Sequence, residues 1–318
     1  MKTVVRAIAT VAVAGLGLVC AHVATPRVDA STPVAAPAPP ARTPATGWFR
    51  PDWYPATPEL DAVAAMDAKG PTEGPPVRSR AVFVHDLDAG ETLYEKNADV
   101  VRPVASLTKM VSALALVSTG ADLENGFCVT AAQYPTRSGA TSRLSTGDCL
   151  TGWDTLGAAL VASDNRGAFG MAAVADLDVD AFVARMNEVS EELAMTSSTW
   201  SDPSGLEDEN LSTARDIARA TVAVAAHPVL SLVSTAPFWD LHRANRQNAR
   251  RLFTTARIAG REDIEMLAAK TGYTDTARYC FTTVVRTDSG RRVVITLLGG
   301  EGKLTRWADV DRILRWLE

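Results

Sequence analysis

Ser106 and Lys109 stand three residues apart in Ser106-Leu107-Thr108-Lys109, a spacing that puts both side chains on one face of a helix. Pro103 just upstream marks a helix start near Ser106, where the serine oxygen meets free backbone N–H groups and the positive end of the dipole. A serine hydroxyl needs a base before it attacks a carbonyl, and a desolvated lysine near another cation can be neutral at physiological pH. The chain holds only six lysines (Lys2, Lys69, Lys96, Lys109, Lys270 and Lys303) among 32 basic residues. A position that kept lysine in so arginine-rich a chain is a candidate base, because a guanidinium cannot give up its proton. Chance supplies Ser-x-x-Lys readily, but a lysine on an apolar helix is costly unless it has a partner or a task.

Two further triplets could join the same chemistry. In Ser163-Asp164-Asn165 the serine could relay a proton and the asparagine amide could donate to a substrate carbonyl. The plainer reading is a helix N-cap, since all three residue types are preferred there. Lys270-Thr271-Gly272 offers a cation, a hydroxyl donor and close backbone approach, which suits a carboxylate-bearing acyl substrate lying along a strand edge. Its plainer reading is a charged edge strand guarding against aggregation.

The elements around these triplets predict an α+β fold. Ala81–Val84 and Thr92–Tyr94, separated by Asp88-Ala89-Gly90, read as a hairpin. Ser106–Ser118 is apolar on nearly every face and is expected at the domain centre. Thr155 to about Val174 reads as two helical stretches broken at Ser163–Asn165, and Asp180–Leu193 and Thr213–Ala226 are amphipathic helices around a polar loop, Ser201–Ser212. Met266–Thr271, Phe281–Arg286 and Val293–Leu298 read as three strands, and Arg306–Leu317 as a closing helix. Helices packed on a mostly antiparallel sheet follow, with no internal repeat.

The first residues read as an export signal or N-terminal anchor, residues 1–24, with Lys2 and Arg6 ahead of an apolar run from Ala7 to Ala21. That run is shorter than the ~20 residues of a spanning helix, and Val19-Cys20-Ala21 and Val28-Asp29-Ala30 both suit cleavage. Residues 25–77, rich in Pro, Ala and Thr, are expected to be a spacer, with a short helix possible over Glu59–Lys69. The catalytic domain is expected over 78–318, with no C-terminal anchor after the last helix. A net charge of -5 provides no basic footprint for nucleic acid. Neither the four histidines nor the four cysteines show metal-ligand spacing. Cys128 and Cys149 could bridge a modest loop in an oxidising compartment, and Cys280 is expected to be buried and inert.

Ser-x-x-Lys, Ser-Asp-Asn and Lys-Thr-Gly in this order form the motif set of serine β-lactamases and penicillin-binding proteins. The chain resembles the D-alanyl-D-alanine carboxypeptidases, the low-molecular-mass penicillin-binding proteins of serine peptidase family S11. Arg102-Pro103-Val104-Ala105-Ser106-Leu107-Thr108-Lys109-Met110 is similar to the family's nucleophile segment, and Lys270-Thr271-Gly272-Tyr273-Thr274 to its third motif. Pro203-x-Gly205-Leu206 and Ser212-Thr213-Ala214-x-Asp216 match a further stretch, so the resemblance spans roughly Arg80 to Glu318. The second motif departs from it, being Ser-Asp-Asn followed by Arg166-Gly167 where the family has Ser-Gly-Asn then Asp-Ala. Ser-Asp-Asn is common in class A β-lactamases, which also need a Glu-x-x-x-Asn pattern. Glu207 and Asn210 are one residue too close for it.

The resemblance implies a β-lactamase/DD-peptidase-like fold and a cofactor-free, metal-free hydrolase acting as a monomer on peptidoglycan stem peptides and acylated by β-lactams. It implies Ser106 as nucleophile, Lys109 as base and Ser163, held by Lys270, as proton donor to the leaving D-Ala. Asn165 would orient the substrate amide, Thr271 would touch the terminal carboxylate beside Gly272, the Tyr273 N–H would complete an oxyanion hole, and Arg306 would help bind the carboxylate. A D,D-endopeptidase acting on cross-links would use the same residues. A peptidoglycan-binding scaffold on a retired enzyme fold would not need all three motifs intact.

Overall fold

Ala81–Asp86 is buried at every position, as a strand flanked on both sides must be. The computed structural model describes residue 63, residues 65–130 and residues 142–318, all within one compact unit. The expected signal or anchor, and most of the expected spacer, lie outside the described residues. The strands are β1 (Ala81–Asp86), β2 (Glu91–Lys96), β3 (Arg102–Pro103), β4 (Gly126–Cys128), β5 (Cys149–Thr151), β6 (Leu211–Ser212), β7 (Phe238–Leu241), β8 (Arg250–Phe253), β9 (Ile264–Thr274), β10 (Arg278–Thr287) and β11 (Arg292–Gly300). After one 3-10 turn at Ala105–Leu107, the helices are α1 (Thr108–Ser118), α2 (Gly152–Leu160), α3 (Asn165–Val174), α4 (Val179–Glu192), α5 (Ala214–Ala226), α6 (Pro228–Thr235) and α7 (Thr305–Leu317).

The predicted hairpin and the three C-terminal strands join into one antiparallel sheet in the order β2-β1-β11-β10-β9, with Val84 opposite Ile295. Alternation sends Ala81, Phe83, Val294 and Leu298 to one face and Val82, Val84, Val293 and Ile295 to the other. The second face is covered by α7 through Trp307, Val310 and Ile313. On the first face lies α5, and α1, buried from Thr108 to Val117, packs behind it among the other helices. A hydroxyl ladder, Thr221 to Thr282 (2.7 Å) to Thr296 (2.8 Å), ties α5 to the sheet. The α+β architecture expected from the sequence is therefore the one found.

Three short strand pairs, β3–β6, β4–β5 and β7–β8, escaped sequence reading because each strand is only two to four residues long. Cys128 and Cys149 sit directly opposite each other on β4 and β5 and form a disulfide, as the spacing allowed. Cys280 is buried and free.

The packed chain begins earlier than the boundary expected at residue 78. Val63 is 4%, Met66 0% and Val77 9% exposed. Pro71 O accepts from the Glu95 N–H (2.9 Å), so this segment runs along the outer edge of β2. Arg215 clamps it, donating to Met66 O and Ala68 O while pairing with Glu95 (2.6 Å) and Asp99 (2.6 Å). Pro and Gly suggested a free spacer, yet extended backbone free of secondary structure is also what covers an exposed sheet edge. Met66→Ala should therefore cost about 3 kcal/mol of stability in a urea titration. A free spacer would tolerate the change within about 0.5 kcal/mol.

Candidate active site

The nucleophile segment enters α1 through a strained turn. Ala105 has φ +51, in the left-handed region that disfavours a side chain, and Ser106 follows it half-buried. Two glycines hold that turn by letting backbone come close. A Cβ on Gly205 (φ +78) would lie 2.0 Å from Ala105 O, and one on Gly272 would lie 2.8 Å from Val104 O and 3.3 Å from Ser106 N. The third motif's glycine is thus needed because β9 packs directly on the backbone that carries Ser106.

Lys109, with no exposed surface, donates to Ser106 Oγ (2.8 Å), Asn165 Oδ1 (2.8 Å) and Ser204 O (2.6 Å). Burial pushes its ammonium down to about 7, against the opposing pull of Asp202 and Asp164. A neutral amine keeps two N–H donors and gains one lone pair. Asn165 Oδ1 and Ser204 O can only accept, so the lone pair is left to the one partner with a proton, the Ser106 hydroxyl.

The break between α2 and α3 supplies the second pair. Ser163 has φ +58, and its Oγ accepts from Lys270 Nζ at 2.8 Å. Asp164 then caps α3, its carboxylate accepting from the Arg166 N–H (3.0 Å) and Gly167 N–H (3.3 Å). The helix-cap reading of this triplet holds for its middle residue, while its neighbours face Lys270 and Lys109. Lys270 is 1% exposed, so its side chain does not guard the edge of β9. Burial, with Lys109 and Arg306 nearby, pushes it well below the usual lysine range.

Thr271 Oγ1 lies 2.6 Å from Thr255 Oγ1. Tyr273 is exposed at the rim, its ring tilted against that of Tyr279 with centroids 4.4 Å apart, its hydroxyl donating to Asp275 (2.7 Å). Arg306 Nη1 donates to Gly272 O and Cys280 O, both at 2.9 Å, so its contacts brace the strand rather than the other site side chains. Ser106, Lys109, Ser163, Asn165 and Lys270 are thus brought together with Thr271 and Gly272, while Tyr273 borders them and Arg306 supports them from the strand's backbone. Ser204, Asp202 and Thr255 were not singled out from the sequence. Ser204 lies in the Pro203–Leu206 stretch, whose signal was only its resemblance to the family, and Asp202 directly precedes it. In the same loop Glu207 is exposed, and the buried Asn210 amide is engaged by Ser201 N, Asp202 Oδ2 and Glu207 O.

This fold, with a serine–lysine pair between sheet and helices, is that of the penicillin-binding DD-peptidases. The crystal structure of a D-alanyl-D-alanine carboxypeptidase from Mycobacterium tuberculosis H37Rv superposes with a TM-score of 0.68 at 26% identity, covering 78% of this chain and 92% of that one. A D-alanyl-D-alanine endopeptidase of Pseudomonas aeruginosa is 31% identical over 81% of this chain and 84% of its own length. One of Escherichia coli is 28% identical over 81% and 83% respectively. Residues 68–302 match the Peptidase_S11 family, D-alanyl-D-alanine carboxypeptidase. The chain belongs to that family and is a serine DD-peptidase. Since any side chain at Gly272 would press on the Ser106 backbone, Gly272→Ala should slow acylation by labelled penicillin about 100-fold while leaving the fold intact by circular dichroism.

Proposed function

We propose that this enzyme removes the terminal D-Ala from peptidoglycan stem peptides through a Ser106 acyl-enzyme. The observation that carries the proposal is the buried Lys109 amine, 2.8 Å from Ser106 Oγ and brought down to about 7. Lys109 takes the hydroxyl proton as Ser106 attacks the carbonyl of the penultimate D-Ala. Backbone N–H groups of Ser106 and Tyr273 hold the developing oxyanion. Asn165 has its Oδ1 on Lys109, so its amide N–H is left to donate to the substrate. Ser163, hydrogen-bonded to Lys270, passes a proton to the departing amine, and water then releases the acyl group. Thr271 meets the terminal carboxylate, and Arg306 braces and charges the strand on which it lies. No step calls on a metal or organic cofactor. β-Lactams acylate Ser106 because they imitate the D-Ala-D-Ala end.

The second reading is a D,D-endopeptidase that cuts cross-links. It is favoured by the name of the Pseudomonas and Escherichia relatives, each matched over more than four fifths of both chains. Only the leaving amine differs between the two. The exported location read from the N-terminus is supported by the Cys128–Cys149 disulfide, since thiols stay reduced in the cytosol.

A labelled penicillin should mark the chain covalently, and Ser106→Ala should abolish the label. Labelling that survives would overturn the nucleophile assignment. Lys109→Arg should lose on the order of 1000-fold in acylation rate, nearly as much as Lys109→Ala. Because Lys109 must be neutral to act, the wild-type rate should fall as pH drops through about 7. Product masses from a pentapeptide and from a cross-linked dimer separate the two readings: free D-Ala from the first supports carboxypeptidase action, monomers from the second support endopeptidase action.

A further inference from the structure

Asp202 is 5% exposed and sits at the centre of the Ser201–Asn210 loop. Its Oδ1 accepts from the Ser204 N–H and hydroxyl and from the Gly205 N–H (2.9 Å). Its Oδ2 accepts from the Glu207 N–H (2.8 Å) and Asn210 Nδ2 (2.6 Å). The turn so formed points two carbonyls at α1: Pro203 O takes the Ser112 hydroxyl and Ser204 O takes Lys109 Nζ, each at 2.6 Å. On the other side of the lysine the fully buried Asp164 has the matching task. It caps α3 and also accepts from Ser142 Oγ (2.7 Å) and the Arg143 N–H, which fixes Asn165 as the first residue of the helix.

We infer that Asp202, with Asp164 as its counterpart, is a positioning residue for Lys109: the two buried carboxylates hold Ser204 O and Asn165 Oδ1 in place, so that the amine can turn its lone pair only toward Ser106. The inference rests on Lys109 being the base. Both residues act through an intermediary, and both carry charge close enough to be felt at Nζ. The charged groups around the lysine are Asp202 on its loop, Asp164 before α3, Lys270 on β9 and, beyond Lys270, Arg306 on α7. Burial lowers the lysine, Asp202 and then Asp164 raise it. Removing either negative charge therefore drives the amine to lose its proton at lower pH, while loosening the acceptor that aims it.

The two effects part in one measurement, the acylation rate of the full chain by labelled penicillin as a function of pH. Asp202→Asn and Asp164→Asn should each move the acid limb down by about one unit and lower the plateau at high pH about tenfold. Asp202→Glu, which keeps the charge and displaces it, should lower the plateau and leave the limb in place. A lesion of stability alone reduces the amount of active protein without moving the limb, so an unmoved limb in the folded asparagine variants overturns the inference. Should Asp202→Asn not fold, by melting and circular dichroism, Asp164→Asn decides alone. Lys109→Ala run in parallel keeps the failures apart. Acylation surviving there condemns the base, whereas an unmoved limb with lysine-dependent acylation condemns only the positioning role.

Discussion

A lysine without exposed surface is the constraint on which the rest of the molecule depends. Taking an ammonium out of water costs several kcal/mol even after relaxation, and the group responds by giving up its proton more easily. Lys109 can be kept there because each of its three donors has an acceptor within 2.8 Å, drawn from three separate parts of the chain. Ser106 comes from the turn before α1, Asn165 from the start of α3, and Ser204 from a loop folded around Asp202. Remove any of these and the lysine loses either a stabilising partner or its orientation.

A second buried lysine completes the arrangement. Lys270 reaches Ser163 from β9, and burial together with its proximity to Lys109 and Arg306 makes its charged form less favourable. The site therefore holds two amines, one bonded to the serine in the turn before α1 and the other to the serine at the helix break. Getting the sheet that close to the turn before α1 needs a glycine at 272, and left-handed backbone at Ala105, just before Ser106, and at Ser163 itself places the two serines. Conformations that cost about 1–3 kcal/mol each persist because tight packing on every side leaves the backbone no alternative.

Much of this was legible beforehand because the signals were strong and local. Six lysines in an arginine-rich chain, an apolar helix after Ser106, and alternating apolar strands at the C-terminus each have one simple physical cause. The spacer was misread over its last residues: a proline-rich segment and an edge-covering segment look alike until Arg215, far along the chain, is seen to clamp it. Short strand pairs such as β7–β8 were missed because four residues carry no periodicity to detect. Thr255 and Ser204 were missed because a threonine in a loop and a backbone carbonyl have no sequence signature at all.

What the sequence alone determined was the set of reactive groups and their likeness to one family: Ser106, Lys109, Ser163, Asn165, Lys270, Thr271 and Gly272 could all be named from type, spacing and order. What only the tertiary structure decided was which partners each of those groups meets. That the second triplet is both a helix cap and a face of the site, that Lys270 is buried rather than guarding an edge, and that Arg306 grips strand carbonyls depend on contacts between residues dozens of positions apart. A motif specifies which atoms are available. The basicity of an amine is set by what surrounds it, and for Lys109 those surroundings are assembled from residues 106, 164, 165, 202 and 204, brought together only when the chain has folded.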